Sequence, residues 1–190
     1  ADVEGTLTET LHGRAFYQKV AVTDAGLDLS QTVMVPVRNA RVEVFDRSLN
    51  VVVSVSETDS NGQFTIAAPN QSDLVVRVLS RLRGLDLRVA DNTNGNALYD
   101  ISADADAQQP QDIMLIDTNA TPLRVSGAFN ILEAIQRGND LIGKADPRII
   151  PPSFTMFWSV RNTNRSGNPA SGLVGGTFFN LSSGTAYILG

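Results

Sequence analysis

The chain of 190 residues contains no cysteine and a single histidine, His12. The absence of cysteine excludes disulfide bonds and thiolate metal sites. A catalytic zinc site needs about three protein ligands, usually including two histidines on one helix face, and no HExxH motif is present. His12 precedes Gly13 between two predicted strands, and we interpret it as a turn residue, not a member of a catalytic triad. We therefore expect no catalytic residue and no enzyme activity in this chain.

Basic residues and long apolar runs are also scarce. The 15 Lys and Arg are outnumbered by 20 Asp and Glu, which gives a net charge of −5. Binding to nucleic-acid phosphates needs a basic stripe. No apolar run approaches the roughly 18 residues of a membrane-spanning helix. We expect neither a nucleic-acid partner nor a membrane span.

What the sequence does contain is alternation. In residues 36–69, PVRNARVEVFDRSLNVVVSVSETDSNGQFTIAAP, apolar side chains recur at every second position in three successive runs. A period of two places these side chains on one face of successive strands. Because Asn61-Gly62 tolerates positive φ, we predict a hairpin that joins a strand ending near Thr58 to a strand at 63–68. The pattern is typical of a small antiparallel β-sandwich.

Further strands are predicted on both sides of this segment. The predicted strands cover residues 3–11, 14–22, 32–37, 39–46, 50–58, 63–68, 73–82, 85–90 and 112–117. A polar excursion at 24–31 and a break in the pattern at 91–111 interrupt them. This number and spacing favour a sandwich over residues 1–118, with a domain boundary near residues 119–122.

The second predicted domain, residues 119–190, has a different character. Ser126 is a candidate N-cap for a helix that ends at Gly138. Strands are predicted at 154–160, 173–181 and 185–189. The predicted fold is therefore mainly β: an antiparallel β-sandwich followed by a small α+β segment with one helix.

Two segments of the first domain carry a family resemblance. PVRNARVEV at 36–44 and TDSNGQF at 58–64 resemble the motifs of the transthyretin-like, carboxypeptidase-regulatory-type domain. That domain is an accessory module of many secreted bacterial proteins. The resemblance implies a sandwich without catalytic activity that serves as a scaffold or a binding surface.

The second half of the chain carries another resemblance. Residues 87–100, 127–135, 152–160 and 175–190 are similar, in this order, to the region that precedes the HExxH helix in a group of bacterial zinc metallopeptidases. The resemblance implies the upper lobe of a zincin-type peptidase, in which a backing helix and a small sheet come before the active-site helix. We interpret the chain as ending before that helix, as a fragment or one half of a processed enzyme.

Two functions compete on these grounds. The leading hypothesis is a non-catalytic N-terminal scaffold or accessory region of a secreted bacterial metallopeptidase, located outside the cell or in the cell envelope. Its partner would be the remainder of the parent polypeptide or the peptidase domain. The alternative is a self-contained carbohydrate-binding or adhesion β-module, in which the sandwich loops or the region of Trp158 hold a glycan. The aromatic rings near Trp158 could also form a platform for a peptide. Aromatic residues at this density normally fill a core, so we expect most of them to be buried.

Clustered carboxylates and amides give one candidate metal site. Hard oxygen ligands are what calcium needs, although the spacing differs from an EF-hand loop and such residues are also common in turns. The candidate calcium ligands are Asp91, Asn94, Asp100, Asp104 and Asp106. Calcium is the only cofactor that the sequence indicates.

The last predicted strand gives a candidate peptide site. In the implied upper lobe, residues 185–189 would be the edge strand on which an extended peptide pairs through its backbone. The candidate substrate-binding residues are Thr185, Tyr187 and Leu189.

Overall fold

The computed structural model describes residues 8–82, 84, 86–108, 112–117 and 124–190. Within these residues the chain forms thirteen strands and one α-helix, which confirms a mainly β fold with a single helix. The predicted boundary at 119–122 and the start of the predicted strand 3–11 lie outside the described residues. The strands are β1 Thr8–Thr23, β2 Gly26–Pro36, β3 Ala40–Asp46, β4 Val51–Glu57, β5 Gln63–Pro69, β6 Leu74–Leu82, β7 Leu87–Asp91, β8 Ala97–Leu98, β9 Asp100–Ala105, β10 Ile113–Asp117, β11 Phe154–Trp158, β12 Phe178–Asn180 and β13 Thr185–Ile188; the helix is α1 Val125–Ala145.

The first sheet is organised around β1, a strand of 16 residues. It pairs antiparallel with β5 along its first half and with β2 along its second half, and parallel with β10. The prediction of two strands at 3–11 and 14–22 is therefore wrong, because β1 continues through Gly13. A side chain at Gly13 would meet the Phe64 ring and the Ile113 carbonyl, so glycine here permits close packing. His12, predicted in a turn, lies within β1 with its Nδ1 3.1 Å from Thr65 Oγ1.

The polar excursion predicted at 24–31 is mostly strand. The chain reverses after Thr23, and β2 begins at Gly26, where φ is 111°. The prediction missed the first part of β2 because its polar residues, such as Asp28 and Ser30, are typical of a loop. The β1–β2 hairpin extends beyond the core there.

The second sheet is mixed, because strands from residues 154–188 add parallel pairs to the antiparallel strands of the predicted sandwich. Its strand order is β12-β13-β11-β7-β6-β3-β4, with β8 also paired to β7 and β9 to β6. Strands β7, β11 and β13 are parallel, whereas the other pairs are antiparallel. Strands β8 and β9 lie in the segment 91–111, where a break in the pattern was predicted. In β9 the inward residues include the small Ala105, so the alternation is weak in the sequence.

The predicted hairpin around Asn61-Gly62 is a connection between the two sheets. Strand β4 pairs with β3, whereas β5 pairs with β1, and no ladder joins β4 to β5 in the described residues. Gly62 has a φ of 74°, and a Cβ there would lie 2.5 Å from the Ala15 carbonyl oxygen, so the turn requires glycine. The turn chemistry was predicted correctly and the pairing of its strands was not.

Serine side chains replace the missing ladder between β4 and β5. Ser56 Oγ donates to the Thr65 carbonyl over 2.8 Å, and Ser54 Oγ donates to the Ala67 carbonyl. These hydroxyl groups satisfy carbonyls of β5 at the open side of the sandwich. The two sheets are thereby joined along one margin.

Helix α1 packs where the two sheets meet. Its residues Ala128, Phe129 and Leu132 are buried, and the Phe129 ring stacks on Tyr17 of β1 at 6.3 Å between centroids. Gly127 lies against the ring of Trp158, as a Cβ there would come within 2.5 Å of Cη2. No helix in the described part of the chain is long and apolar enough to cross a membrane.

Both predicted ends of the helix are wrong. Ser126 is inside the first turn, and its N–H donates over 2.6 Å to Oδ2 of Asp117, which lies at the end of β10. A carboxylate from another element thus takes the capping role assigned to Ser126. At the other end, Gly138 does not adopt positive φ, so the helix continues to Ala145.

The predicted strand 173–181 is confined to β12, Phe178–Asn180. Positive φ at Gly175 (77°) and Gly176 (157°) interrupts the extended backbone before it. The prediction that residues 185–189 form an edge strand is wrong: β13 pairs in parallel with β11 and antiparallel with β12. The edge of this sheet is β12.

A turn after β3 gives a testable dependence of stability on pH. The Asp46 carboxylate accepts hydrogen bonds from the Ser48 hydroxyl, the Leu49 N–H and the Gln71 side chain, which lower its pKa from 3.8 to about 2. A lowered native pKa contributes stability that is complete above the unfolded pKa of about 4 and is lost as the pH falls towards 2. We expect Asp46→Asn to be less stable at neutral pH and to lose less stability between pH 4 and pH 2. Urea midpoints at each pH measure both effects, and parallel pH profiles for the two proteins would contradict the assignment.

Candidate functional site

Three parallel strands end at the same margin of the second sheet. Strands β7, β11 and β13 run in one direction, so their carboxyl ends bring together the residues that follow each strand. In open α/β sheets the carboxyl ends of parallel strands are the usual position of a binding site, and three parallel strands end together here as well. This margin is therefore the first place to look for functional side chains.

Asp91, at the end of β7, organises a polar cluster there. Its Oδ1 accepts from the N–H and the hydroxyl of Thr93 over 2.8 and 2.7 Å. The Thr93 hydroxyl is 2.9 Å from the hydroxyl of Ser159, which follows β11. Tyr99 donates its hydroxyl to the Trp158 carbonyl over 2.8 Å. Burial, reinforced by the charge of Asp91, raises the Tyr99 pKa well above its usual value, so the hydroxyl stays a donor.

Two buried asparagines complete the cluster. The side-chain amides of Asn92 and Asn162 donate to each other over 2.8 and 3.0 Å. Asn92 also donates to the Pro169 carbonyl, and Asn162 donates to the Ile188 carbonyl at the end of β13 over 2.8 Å. These bonds connect all three strand ends and the loop that contains Pro169. The hydrogen-bonding capacity of the two side-chain amides is used within the protein. The geometry therefore favours a structural role, in which these residues hold the strand ends together, over a catalytic one.

The candidate calcium ligands do not converge on one point. Asp100 and Asp104 lie four residues apart on β9, a separation of about 13 Å along a strand. Asp104 forms an ion pair with Arg47, and Asp106 Oδ1 accepts the Gln108 N–H over 2.9 Å. Among the described residues, no group of three or more His, Asp or Glu side chains is suited to a metal ion.

Only Asp91 and Asn94 of that set share a turn. The Asn94 N–H donates to the Asp91 carbonyl over 3.1 Å, and Gly95 and Asn96 follow with positive φ. The Asp91 carboxylate already accepts the two bonds from Thr93. Calcium binding therefore stays a prediction, and its ligands would have to come mainly from this turn.

A thermal shift measures the calcium hypothesis. If the turn after Asp91 binds calcium, a calcium concentration of about ten times Kd stabilises the fold by about 1.4 kcal/mol. For a chain of this size we expect the melting temperature to rise by about 3–6 °C. Magnesium at the same concentration is the control, since it fits flexible oxygen sites poorly. An unchanged melting temperature and equal protease sensitivity with and without calcium would remove the hypothesis.

Of the candidate peptide-binding residues, Thr185 and Tyr187 lie on the interior strand β13, and Leu189 follows its end. Tyr187 pairs directly with Phe157 of β11 and Phe178 of β12, and its ring contacts both, at 5.1 and 5.3 Å between centroids. The Thr185 hydroxyl is 2.6 Å from that of Ser183, and the Leu189 N–H donates to Thr177 Oγ1 over 3.2 Å. Because β13 has a strand on each side, its backbone is not available to a peptide.

Aromatic side chains near Trp158 do not form an open platform. Trp158 is only 5% exposed, beneath Gly127 of the helix and beside Tyr99. The rings of Phe157, Tyr187 and Phe178 pack against one another across three strands. Cross-strand rings of this kind stabilise the pairing of β12. Phe178 and Phe179 of β12 are 44% and 48% exposed, so the carbohydrate-binding alternative stays a prediction that would rest on these two rings and not on Trp158.

A charged cluster that the sequence did not indicate joins the two predicted domains. Buried Glu133 of α1 accepts from Arg38 through Nε and Nη2, over 3.0 and 3.1 Å, and from Arg137 Nε over 2.6 Å. Beneath it, the buried Tyr17 hydroxyl has no hydrogen-bond partner in the described part of the chain. Burial and, to a lesser extent, the charge of Glu133 raise the Tyr17 pKa far above its usual value. Of these contacts, only the i,i+4 spacing of Glu133 and Arg137 was visible in the sequence.

Comparison with known proteins gives no family. No protein-family model matches the chain, and no curated protein matches it. Among solved structures, the crystal structure of a 9R-lipoxygenase from Cyanothece PCC8801 aligns with a TM-score of 0.31 and 15% identity. The alignment covers 79% of this chain and 27% of the lipoxygenase, so the chain spans about a quarter of that protein. A likeness at this TM-score carries no argument about fold or activity.

Proposed function

We propose that the chain is the non-catalytic N-terminal scaffold of a secreted bacterial metallopeptidase. The observation that carries the proposal is the order of elements after β10: helix α1 is followed by β11, β12 and β13. Strand β11 pairs in parallel with β7, β13 pairs in parallel with β11, and β12 pairs antiparallel with β13. The sequence resemblance implies a backing helix and a small sheet before an active-site helix. The arrangement of α1 with β7, β11, β12 and β13 supports that interpretation.

The scaffold would act by holding a sheet margin rigid. The carboxyl ends of its three parallel strands are connected by buried and partly buried hydrogen bonds of Asp91, Asn92, Thr93, Ser159 and Asn162. A catalytic helix supplied by another part of the parent polypeptide needs a fixed surface, since displacements of about 1 Å are costly in catalysis. The chain would contribute that surface and no reacting group.

The peptide-binding role belongs, in this proposal, to β12 instead of β13. Strand β12 ends the strand order of the second sheet, so one side of its backbone is unpaired by the described residues. No charged residue occurs between positions 166 and 190, whereas natural edge strands are commonly protected by charge or proline. An extended peptide would pair with Phe178–Asn180 by backbone hydrogen bonds.

Reading the gene beyond Gly190 is the direct test of the proposal. We expect an HExxH motif in the same reading frame soon after that residue. A stop codon there, or a series of further β-modules, would contradict the scaffold function.

A second test of the proposal measures zinc content and peptidase activity of the purified chain. We expect no hydrolysis of a casein substrate and far less than one zinc per chain after dialysis, because a single histidine and no cysteine cannot supply a zinc site. Metal analysis by mass spectrometry and a peptidase assay measure both. Stoichiometric zinc that survives dialysis, or peptidase activity that a chelator abolishes, would contradict the proposal.

A further inference from the structure

A trough separates the β1–β2 hairpin from the second half of α1. Two cavities form it, of about 470 and 680 Å³, and they share Val35 of β2 and Arg137 of α1. We call this depression the hairpin trough. It lies away from the strand ends that form the proposed scaffold margin.

Three large apolar side chains that line the hairpin trough are exposed. Val22 of β1 is 76% exposed, Val33 of β2 is 61% exposed and Leu141 of α1 is 66% exposed. Large apolar side chains that line one depression at this exposure indicate a binding surface.

The charged residues of the trough are mainly basic. Its four cations are Lys19, Arg38, Arg137 and Lys144, and its carboxylates are Glu133 and Asp140. Buried Glu133 is already neutralised by both arginines. Asp140 lies 3.6 Å from Arg38.

The two lysines of the trough are available for ion pairs with a binding partner, since the two arginines already contact carboxylates. Neither Lys19 nor Lys144 forms an ion pair with a described residue, and they are the only lysines of the whole chain. A chain with a net charge of −5 thus places both of its lysines in one depression. Charge complementarity then points to a negatively charged partner.

We propose that the hairpin trough binds an extended polypeptide segment in which acidic and apolar residues alternate. In an extended chain, successive side chains point in opposite directions. One set would cover Val22, Val33 and Leu141, and the other would reach Lys19 and Lys144. This interaction surface is independent of the scaffold function and of strand β12.

The experiment uses the full chain and a fluorescein-labelled hexapeptide, Glu-Val-Glu-Val-Glu-Val, in fluorescence anisotropy. We expect saturable binding that weakens as ionic strength rises. The double variant Lys19→Gln, Lys144→Gln should raise Kd about three- to tenfold, which is the range of two exposed ion pairs. The matched control is Arg161→Gln, Arg165→Gln, which removes the same charge from two exposed residues outside the trough and should leave Kd within about twofold.

A second readout does not depend on variants. Reductive methylation with labelled formaldehyde keeps the lysine charge and gives one side-chain NMR signal for each of the two lysines. Both signals should shift on addition of the acidic hexapeptide, and neither should shift with Gln-Val-Gln-Val-Gln-Val.

Several results would overturn the proposal. They are an absence of binding of the acidic hexapeptide, equal affinity for the glutamine peptide, an equal loss of affinity in the arginine control, or lysine signals that do not shift. Binding to phosphatidylglycerol vesicles without binding to the hexapeptide would also overturn it in favour of a membrane surface.

Discussion

Replacing Trp158 by alanine should lower the free energy of unfolding by about 3–5 kcal/mol, the usual cost of removing a large buried aromatic side chain. The indole is 5% exposed, its centroid is 5.5 Å from that of Tyr99, and Gly127 of the helix lies against it. Its removal leaves a cavity between α1 and the second sheet that the surrounding backbone cannot fill. For a chain of this length, the melting temperature should fall by about 6–20 °C.

Thermal denaturation followed by circular dichroism measures this loss. The matched control is Phe178→Ala, since Phe178 lies on the same sheet but is 44% exposed. That variant loses a cross-strand ring contact with Tyr187, and its cost should be about 1 kcal/mol. Equal destabilisation by the two variants would mean that the Trp158 ring does not hold the helix on the sheet.

The second large effect is expected at Gly127, where two principles oppose each other. Alanine in a helix interior is more favourable than glycine by about 1 kcal/mol. A Cβ at Gly127, however, would lie 2.5 and 2.8 Å from Cη2 and Cζ2 of Trp158, whose buried ring also contacts Tyr99. Forcing extra volume into a packed core costs about 1–3 kcal/mol. We expect the clash to dominate, so that Gly127→Ala destabilises the protein.

Gly138 in the same helix provides the control. A Cβ at Gly138 would meet nothing within 4 Å, and the backbone there does not have positive φ. Gly138→Ala should therefore stabilise the protein by about 0.5–1 kcal/mol, the opposite sign to Gly127→Ala. Urea denaturation of both variants compares the signs directly. Stabilisation by Gly127→Ala would show that the helix can move away from Trp158 at little cost.

The strands of the core were predicted well from the sequence. Successive side chains of a strand point to opposite faces, so a strand with one buried face has an apolar residue at every second position. Val42, Val44, Phe64 and Ile66 were placed on inward faces by their alternation, and all four are buried. Alternation specifies the face of a strand but not its neighbour. The valines of β4 predict a strand equally well whether its partner is β5 or β3, and only the structure shows that the partner is β3.

Helix ends and short strands were less predictable because distant residues determine them. Ser126 has the chemistry of a cap, but the buried carboxylate of Asp117 supplies the acceptor. Gly138 has the chemistry of a stop, although nothing in the structure requires positive φ there. Strand β9 has polar and small residues, yet it pairs antiparallel with β6 because the backbone groups of β6 on that side would otherwise be unpaired.

The candidate site was the least predictable feature. Asp91 and Asp104 belong to one acidic stretch of the sequence. In the structure, Asp91 ends β7 whereas Asp104 lies on β9. The bonds that define the strand-end cluster, such as Asn92 to Asn162, join residues 70 positions apart. Arg38 and Glu133 are separated by 95 positions. No local spacing rule reports such contacts, since they arise only when the two sheets and the helix assemble.

The parallel pairing of β1 with β10 bears on how the chain folds during synthesis. Gly13 pairs with Ile113. About a hundred more residues must therefore be synthesised after this part of β1 before its partner strand β10 leaves the ribosome. At typical elongation rates of about 5–20 residues per second, that interval is about 5–20 seconds. During it, one side of β1 is unpaired and available to another nascent chain. We therefore expect wrong pairing along this side of β1 to be most frequent during translation, before β10 has been synthesised.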